Sequence, residues 1–179
     1  MPQTKKFIID FDSTFTQVEA LDILGEISLA GDPNSNDKLQ AIKDITDRGM
    51  EGSVNFRESL EQRLDILKAN RQQIGDLIKA LKKKVSKSFE RNREFLQENA
   101  EDIFIISNGF KDFIIPIVAD YGIGKENVFA NEFVYDENGQ IVDFNRDNPL
   151  SKNNGKAETI KNLNLSGDIY VIGDGYTDY

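Results

Sequence analysis

Short, nearly continuous apolar runs recur along the chain and predict the strands of a buried sheet. The four runs are KFIID (6–10), DIFIIS (102–107), NVFAN (127–131) and DIYVIGD (168–174). A strand covered on both faces of a parallel sheet lacks the polar alternation of a half-exposed strand. Apolar residues at helical spacing separate the later runs, at 89–99, 111–121 and 155–163. This succession predicts an α/β fold with a parallel sheet.

A β-hairpin is predicted between the third and fourth of these strands. The stretch FVYDENGQIVDF (133–144) alternates apolar and polar residues around Asn138-Gly139. Asn-Gly flanked by alternating apolar residues is typical of a tight hairpin turn.

The segment 18–87, called the helical insertion below, has helical patterns throughout and no strand signal. We therefore predict two domains, a core of residues 1–17 and 88–179 and a helical cap of residues 18–87. The chain has few residues after the last strand signal, so we expect a core that is truncated at its C-terminus.

Composition excludes several classes of site. The chain has 179 residues, 39% of them hydrophobic, and a formal net charge of −9. This charge argues against nucleic acid or an anionic membrane as a partner. The absence of cysteine and histidine excludes disulfides, thiolate nucleophiles and histidine-based acid–base catalysis. No signal peptide or transmembrane run is evident, so we expect a cytoplasmic protein.

Two carboxylates close the first predicted strand. Asp10 and Asp12 lie two residues apart, and residues at that spacing face the same side of a strand. Their mutual repulsion would have to be relieved by a divalent cation or by a shared proton. Ligands bind at the carboxyl ends of parallel strands, which makes this position a candidate site. Taken alone, the pair also fits a solvated strand end that caps the next helix.

Other polar residues are predicted at the same edge of the sheet. Ser107 ends the second strand, Lys156 lies near the start of a helix, and Asp174 and Asp178 follow the last strand. Each alone fits an ordinary turn or surface residue. Together, four carboxylates, a hydroxyl and an ammonium have the composition of a site for a hard cation and a phosphate group.

The order of these segments resembles a known superfamily. DFDST (10–14), ISNG (106–109), GK (155–156) and GDGYTD (173–178) are similar to the four motifs of the haloacid dehalogenase superfamily of phosphohydrolases. Within it, the chain looks closest to the phosphoserine phosphatase family. That narrower resemblance rests on Glu19, the run MEGSVNF (50–56) and Arg63.

The resemblance implies a Rossmann-like core, a Mg²⁺ cofactor and an aspartyl-phosphate intermediate. Asp10 would be the nucleophile. Asp12 would be the general acid and base, and Lys156 would neutralise charge. The metal would be held by Asp10, the main-chain carbonyl of Asp12, Asp174 and Asp178.

The resemblance also implies which residues bind the substrate. Phosphate oxygens would contact Ser107 and the N–H of Asn108. The substrate, L-phosphoserine in serine biosynthesis, would be held by Arg63 at its carboxylate and by Glu19 at its ammonium. An apolar wall would come from Met50 and Phe56.

Two positions depart from the family pattern. Asn108 stands where the family often has glycine, and Thr177 stands where it often has asparagine before the last aspartate. Thr177 keeps hydrogen-bonding capacity with a shorter reach. The early end of the chain predicts that Asp178 is poorly held.

Three alternatives stay open at this point. The chain could be a phosphatase or phosphotransferase for another small phosphorylated metabolite. It could be a non-catalytic phospho-ligand-binding fragment of a larger protein. A receiver-type domain also clusters carboxylates and a lysine around Mg²⁺, but the helical insertion does not fit its compact repeat. The sequence does not indicate an oligomeric state.

Overall fold

A parallel four-stranded sheet lies at the centre of the structure, a computed structural model that describes residues 4–175. The sheet order is β3-β2-β1-β6, and every neighbouring pair is parallel. Two further strands, β4 and β5, form an antiparallel hairpin. The strands are β1 (Lys5–Ile9), β2 (Ile103–Phe110), β3 (Val128–Asn131), β4 (Phe133–Tyr135), β5 (Ile141–Phe144) and β6 (Asp168–Ile172). The predicted α/β fold and hairpin are confirmed.

Both faces of the sheet are covered, which explains the continuous apolar runs. On β1, Ile8 belongs to a small cluster with Ile106 and Leu150, whereas Ile9 belongs to the main core. Consecutive strand residues point to opposite faces, so each run must be apolar throughout.

Helices cover these two faces and fill the insertion. They are α1 (Ala20–Ser28), α2 (Ser35–Met50), α3 (Phe56–Leu67), α4 (Arg71–Lys82), α5 (Lys87–Arg91), α6 (Arg93–Glu98), α7 (Lys111–Val118) and α8 (Gly155–Asn162). Helix α4 packs on both α1 and α7, which joins the helical insertion to the core. The boundary between core and cap stays a prediction.

Local capping fixes where the helices of the insertion begin. The Asn55 side chain accepts a hydrogen bond from the Glu58 N–H (2.9 Å) at the start of α3. Asn70 and Gln73 form a reciprocal capping box at the start of α4. Such caps satisfy N–H groups that have no partner within the helix.

The second strand is longer than its apolar run predicts. It continues past Ser107 to Phe110, where the register with β3 shifts and Phe110 pairs with Asn131. The irregular segment places Asn108 and Gly109 at the carboxyl edge of the sheet.

No helix within residues 4–175 is both long and apolar enough to cross a membrane.

Candidate active site

Asp10 and Lys156 form a buried ion pair at the carboxyl end of β1. Asp10 continues the sheet through its N–H, which donates to the Ile172 carbonyl (2.9 Å). Its Oδ2 lies 2.8 Å from the Lys156 Nζ, and the two side chains are 11% and 7% exposed. Its Oδ1 accepts from the Phe11 N–H (2.7 Å). The predicted nucleophile and the predicted charge-neutralising lysine are thus in contact.

A tight turn carries the chain from Asp10 to Asp12. Phe11 and Phe15 are completely buried and anchor the turn, while Ser13 adopts a left-handed conformation with φ 54°. Asp12 itself is extended, and its Oδ1 accepts from the Ala20 N–H (2.8 Å) at the start of α1. A helix N-terminus favours a negative charge.

The pKa of Asp12 is raised well above its usual value. Burial is the main cause, and the nearby charges of Glu19 and Asp10 add to it. The hydrogen bond from Ala20 and the charge of Lys156 oppose this shift. A carboxyl group with a raised pKa is suited to donate a proton and later to recover it.

Gly109 allows Asp12 and Ser107 to lie close together. A Cβ atom at Gly109 would lie 3.1 Å from Asp12 Oδ2 and 3.2 Å from Ser107 Oγ. Ser107 is 1% exposed, and its Oγ accepts from the Gly109 N–H (3.0 Å). The second motif therefore contacts the first, as the sequence predicts.

The side chain of Asn108 forms a hydrogen bond within the protein. Its Nδ2 donates to the Leu150 carbonyl (2.8 Å). This bond ties the residue to the segment before α8. The amide side chain is therefore not directed towards a phosphate in this arrangement, whereas the predicted contact of its main-chain N–H stays a prediction.

The last motif is described only in part. Thr14 Oγ1 donates to Asp174 Oδ1 (3.3 Å), so the turn after β1 contacts the segment after β6. Asp174 is exposed. Thr177 and Asp178, predicted to bind substrate and metal, lie outside the described residues. Among residues 4–175, no three acidic side chains gather as a metal cluster.

The donor atoms at this edge fit a hard cation. Asp10 and Asp174 offer carboxylate oxygens, and Asp12 offers its main-chain carbonyl while its side chain is bound at α1. Oxygen donors of this kind are the ligands that Mg²⁺ prefers.

Arg63 and Glu19 lie on the side of the site formed by the helical insertion. Arg63 is 7% exposed, and it donates to the Ser59 carbonyl (3.3 Å) and to Thr46 Oγ1 (3.5 Å). Within the described part of the chain, no carboxylate forms an ion pair with it. Ser13 Oγ donates to Glu19 Oε1 (2.5 Å).

The charges of these two residues affect each other. Burial lowers the pKa of Arg63, and the carboxylates of Glu19, Asp22 and Asp12 partly offset it. Burial also raises the pKa of Glu19, while its bond from Ser13 opposes the rise. A buried guanidinium that lacks a bidentate partner is suited to bind a carboxylate ligand.

The remaining two predicted residues flank the loop between α2 and α3. Met50 is the last residue of α2, and Phe56 is the first residue of α3. The half-buried Phe56 packs against the main core. Its N–H donates to Asn153 Oδ1 (2.8 Å), three residues before Lys156.

Sequence reasoning missed the contacts that join α3 to the segment before α8. Arg57 Nη2 donates to the Arg146 carbonyl (2.5 Å) and to Ser151 Oγ (3.1 Å). Arg146 in turn forms an ion pair with Glu61. These residues occupy polar segments that resemble solvated surface, so no periodicity could have indicated them.

Comparison with known sequences agrees with this geometry. A family model described as haloacid dehalogenase-like hydrolase matches residues 7–179. A chloroplastic phosphoserine phosphatase of Arabidopsis thaliana is 32% identical over 94% of this chain and 56% of its own length. For a phosphoserine phosphatase of Homo sapiens the identity is 31%, over 94% of this chain and 73% of the relative. The resemblance is confirmed.

Solved structures share the fold. A phosphoserine phosphohydrolase-like protein from Francisella tularensis has a TM-score of 0.84 at 31% identity, over 98% of this chain and 81% of that one. A substrate-bound phosphoserine phosphatase complex has a TM-score of 0.70 at 25% identity, over 90% and 71%. The chain spans 56% and 64% of the Arabidopsis thaliana and Drosophila melanogaster phosphoserine phosphatases that it matches.

Proposed function

The chain belongs to the haloacid dehalogenase-like hydrolase family, and from this premise we propose that it hydrolyses L-phosphoserine to L-serine and phosphate. The observation that carries the proposal is the buried pair of Asp10 and Lys156 beside Asp12 and Ser107. A binding module would need no second carboxylate with a raised pKa next to the first.

In the first step, an oxygen of Asp10 attacks phosphorus. The new bond joins the aspartyl oxygen to phosphorus, and the bond from phosphorus to the seryl oxygen breaks. The protonated carboxyl of Asp12 gives its proton to the leaving seryl oxygen. Serine leaves, and an aspartyl-phosphate remains on the protein.

In the second step, water hydrolyses this intermediate. The Asp12 carboxylate takes a proton from the water as its oxygen attacks phosphorus. The bond from phosphorus to Asp10 then breaks, phosphate leaves, and both side chains return to their starting states. One residue acts as acid and then as base, because the two half-reactions need opposite proton transfers.

Charge repulsion is the main obstacle to both steps. The ammonium of Lys156, the hydroxyl of Ser107 and the N–H of Asn108 would stabilise the phosphoryl oxygens. Mg²⁺, when bound, would neutralise charge on the phosphate group. Its ligands would be Asp10, the Asp12 carbonyl, Asp174 and Asp178.

The choice of L-phosphoserine rests on the helical insertion. Arg63 would bind the substrate carboxylate, and Glu19 would bind its ammonium. Met50 and Phe56 would line the site and exclude water, and Thr177 would contact the substrate from the last motif. The similarity to a phosphoserine phosphatase solved with its substrate bound supports a small phosphorylated substrate for this chain as well.

Two further points belong to this proposal. The net charge of −9 disfavours nucleic acid and anionic membranes as partners, because both would repel the chain. A cytoplasmic location is proposed from the sequence alone.

A phosphate-release assay tests the proposal. The wild-type chain is compared with Asp10→Asn and with the exposed, same-chemistry control Asp65→Asn, with Mg²⁺ and with a chelator. We expect release only from the wild type and the control, and only with Mg²⁺. A different phosphorylated amino acid or sugar phosphate preferred over L-phosphoserine would contradict the substrate, and no release from any ester would contradict the activity.

A further inference from the structure

Asn131, at the end of β3, is a fully buried polar residue that the proposed chemistry does not use. It is 0% exposed, and its Nδ2 donates to the Asn108 carbonyl (2.8 Å) and to the Leu150 carbonyl (3.1 Å). Both partners are carbonyls, so the amide nitrogen must face them. The Oδ1 atom has no hydrogen-bond partner among the described residues.

The two carbonyls belong to two different segments that border the site. Asn108 directly follows Ser107 on β2, whereas Leu150 lies in the short turn Pro149–Ser151 that precedes α8. The Asn108 side chain also donates to the Leu150 carbonyl (2.8 Å). Two amides therefore converge on one carbonyl, and the Asn131 amide bonds both segments at once.

The turn at Leu150 is in direct contact with the start of α8. A Cβ atom on Gly155 would lie 2.1 Å from the Pro149 carbonyl oxygen and 2.8 Å from the Leu150 Cα. The backbones are thus as close as they can be, and Lys156 is the next residue. A shift of the turn must be transmitted to Lys156, because no space between the two segments could absorb it.

We infer that Asn131 is a positioning residue, which holds the Ser107–Asn108 segment and the Lys156 ammonium at a fixed separation across the site. The inference rests on the proposed function, since it assigns these groups to one phosphoryl group. A misplacement of about 1 Å in such a site costs roughly a hundredfold in rate. Arg63 lies on a different element, α3, and its own hydrogen bonds go to Ser59 and Thr46, so the effect on substrate binding should be smaller than the effect on rate.

The test compares Asn131→Leu with Asn127→Leu. Asn127 lies just before the same strand, at its opposite end, and its Nδ2 also donates to two carbonyls, those of Ala100 (3.1 Å) and Glu101 (3.4 Å). Leucine has the same branched shape as asparagine but a larger volume, and it removes the donor. Asn131→Ser is a second variant, in case leucine prevents folding.

Two readouts are measured on the full chain. With L-phosphoserine and Mg²⁺, Asn131→Leu should lower kcat about tenfold to a hundredfold and change KM by less than about threefold. Amide hydrogen exchange of residues 153–156 should accelerate in Asn131→Leu. Neither change is expected in Asn127→Leu, whatever its melting temperature.

The outcomes separate this inference from the proposed function. If the wild type releases phosphate and both asparagine variants behave alike in both readouts, the inference is wrong and the function stands. If no wild-type release occurs, the function is wrong, and the exchange of residues 153–156 still decides whether Asn131 holds the segment. The inference would also be overturned if, in both variants, the changes in kcat and KM simply follow the decrease in melting temperature.

Discussion

Buried opposite charges in direct contact are rare enough that the pair of Asp10 and Lys156 calls for an explanation. Taking two charges out of water is costly, and their attraction only partly offsets this cost. Such a pair is thus weak evidence for a stabilising role. It is better explained as a reactive arrangement, in which Lys156 holds the carboxylate that we propose attacks phosphorus.

The stability of single and double variants tests this view of the pair. Lys156→Met leaves the Asp10 charge buried without its cation and should lower the free energy of unfolding by about 3–5 kcal/mol. Adding Asp10→Asn to it should restore most of that loss. Urea unfolding measures both, with the exposed Lys161→Met on the same helix as control. A Lys156→Met variant as stable as this control would contradict the prediction.

A second prediction at the scale of a residue concerns Arg63. Arg63→Lys keeps the charge and loses the planar, bidentate geometry. We expect KM for L-phosphoserine to rise roughly tenfold or more, because hydrogen bonds to charged groups are worth about 1.5–3 kcal/mol.

The matched substrate for this variant is phosphoethanolamine, which has the same phosphate and ammonium groups and no carboxylate. Its KM should change little in Arg63→Lys. An equal rise for both substrates would indicate that Arg63 supports the site structurally and does not bind the carboxylate.

At the scale of elements, the backbone of the Pro149–Ser151 turn lies very close to the backbone at the start of α8, near the site. Gly155→Ala would place a methyl group 2.1 Å from the Pro149 carbonyl oxygen. Relief requires backbone movement, since the obstacle is main chain, and such overpacking costs about 1–3 kcal/mol.

Gly75 on α4 is the matched control for this prediction, because a Cβ there meets nothing within 4 Å. Gly75→Ala should stabilise the protein by up to about 1 kcal/mol through helix propensity. Urea unfolding of the two variants should therefore give changes of opposite sign. Stability changes of the same sign in both variants would show that the Pro149 carbonyl does not restrict the size of the side chain at position 155.

The elements also show what the sequence could predict. The four strands of the sheet follow from continuous apolar runs, and Asn138-Gly139 marks the hairpin because its turn requires a positive φ, which Gly139 has (76°). The extension of β2 to Phe110 could not be predicted, since it depends on a register shift against Asn131. Local patterns do not encode such pairing between distant segments.

The residues of the site likewise divide into those that the sequence could predict and those that it could not. The convergence of Asp10, Asp12 and Ser107 could be predicted because strand ends bring chemically matched residues to one edge, whereas Lys156 lies in the first turn of α8 and is indicated by its motif. Asn131 and the partners of Arg57 could not be predicted. Asn131 and Arg57 act through hydrogen bonds to main-chain carbonyls and, for Arg57, to the Ser151 hydroxyl, and many polar residues look equally suited to these.

At the scale of the whole molecule, the contact between α3 and the segment before α8 joins the part of the site proposed to recognise the substrate to the part proposed to carry out the chemistry. Helix α3 carries Arg63, and its first turn reaches that segment through Phe56 and Arg57. The segment leads to Lys156. The alignment of the two halves of the site thus depends on contacts that touch neither the substrate nor the phosphate.

Replacing Arg57 tests this coupling. Arg57→Leu should lower kcat/KM for L-phosphoserine about tenfold, because the groups that bind the two ends of the substrate lose their alignment. The control is Arg48→Leu, an exposed arginine at the end of α2. Steady-state kinetics measure both, and equal kinetics in the two variants would contradict the coupling.

The central claim is that Asp10 becomes phosphorylated during the reaction, and trapping that species tests it most directly. Asp12→Asn would be mixed with a labelled nitrophenyl phosphate, whose leaving group needs little protonation, and quenched in acid. We expect the label to accumulate in the peptide that contains Asp10, because water attack lacks its base. Phosphate release by the wild type together with no labelled Asp10 peptide, or with label on another residue, would contradict the account.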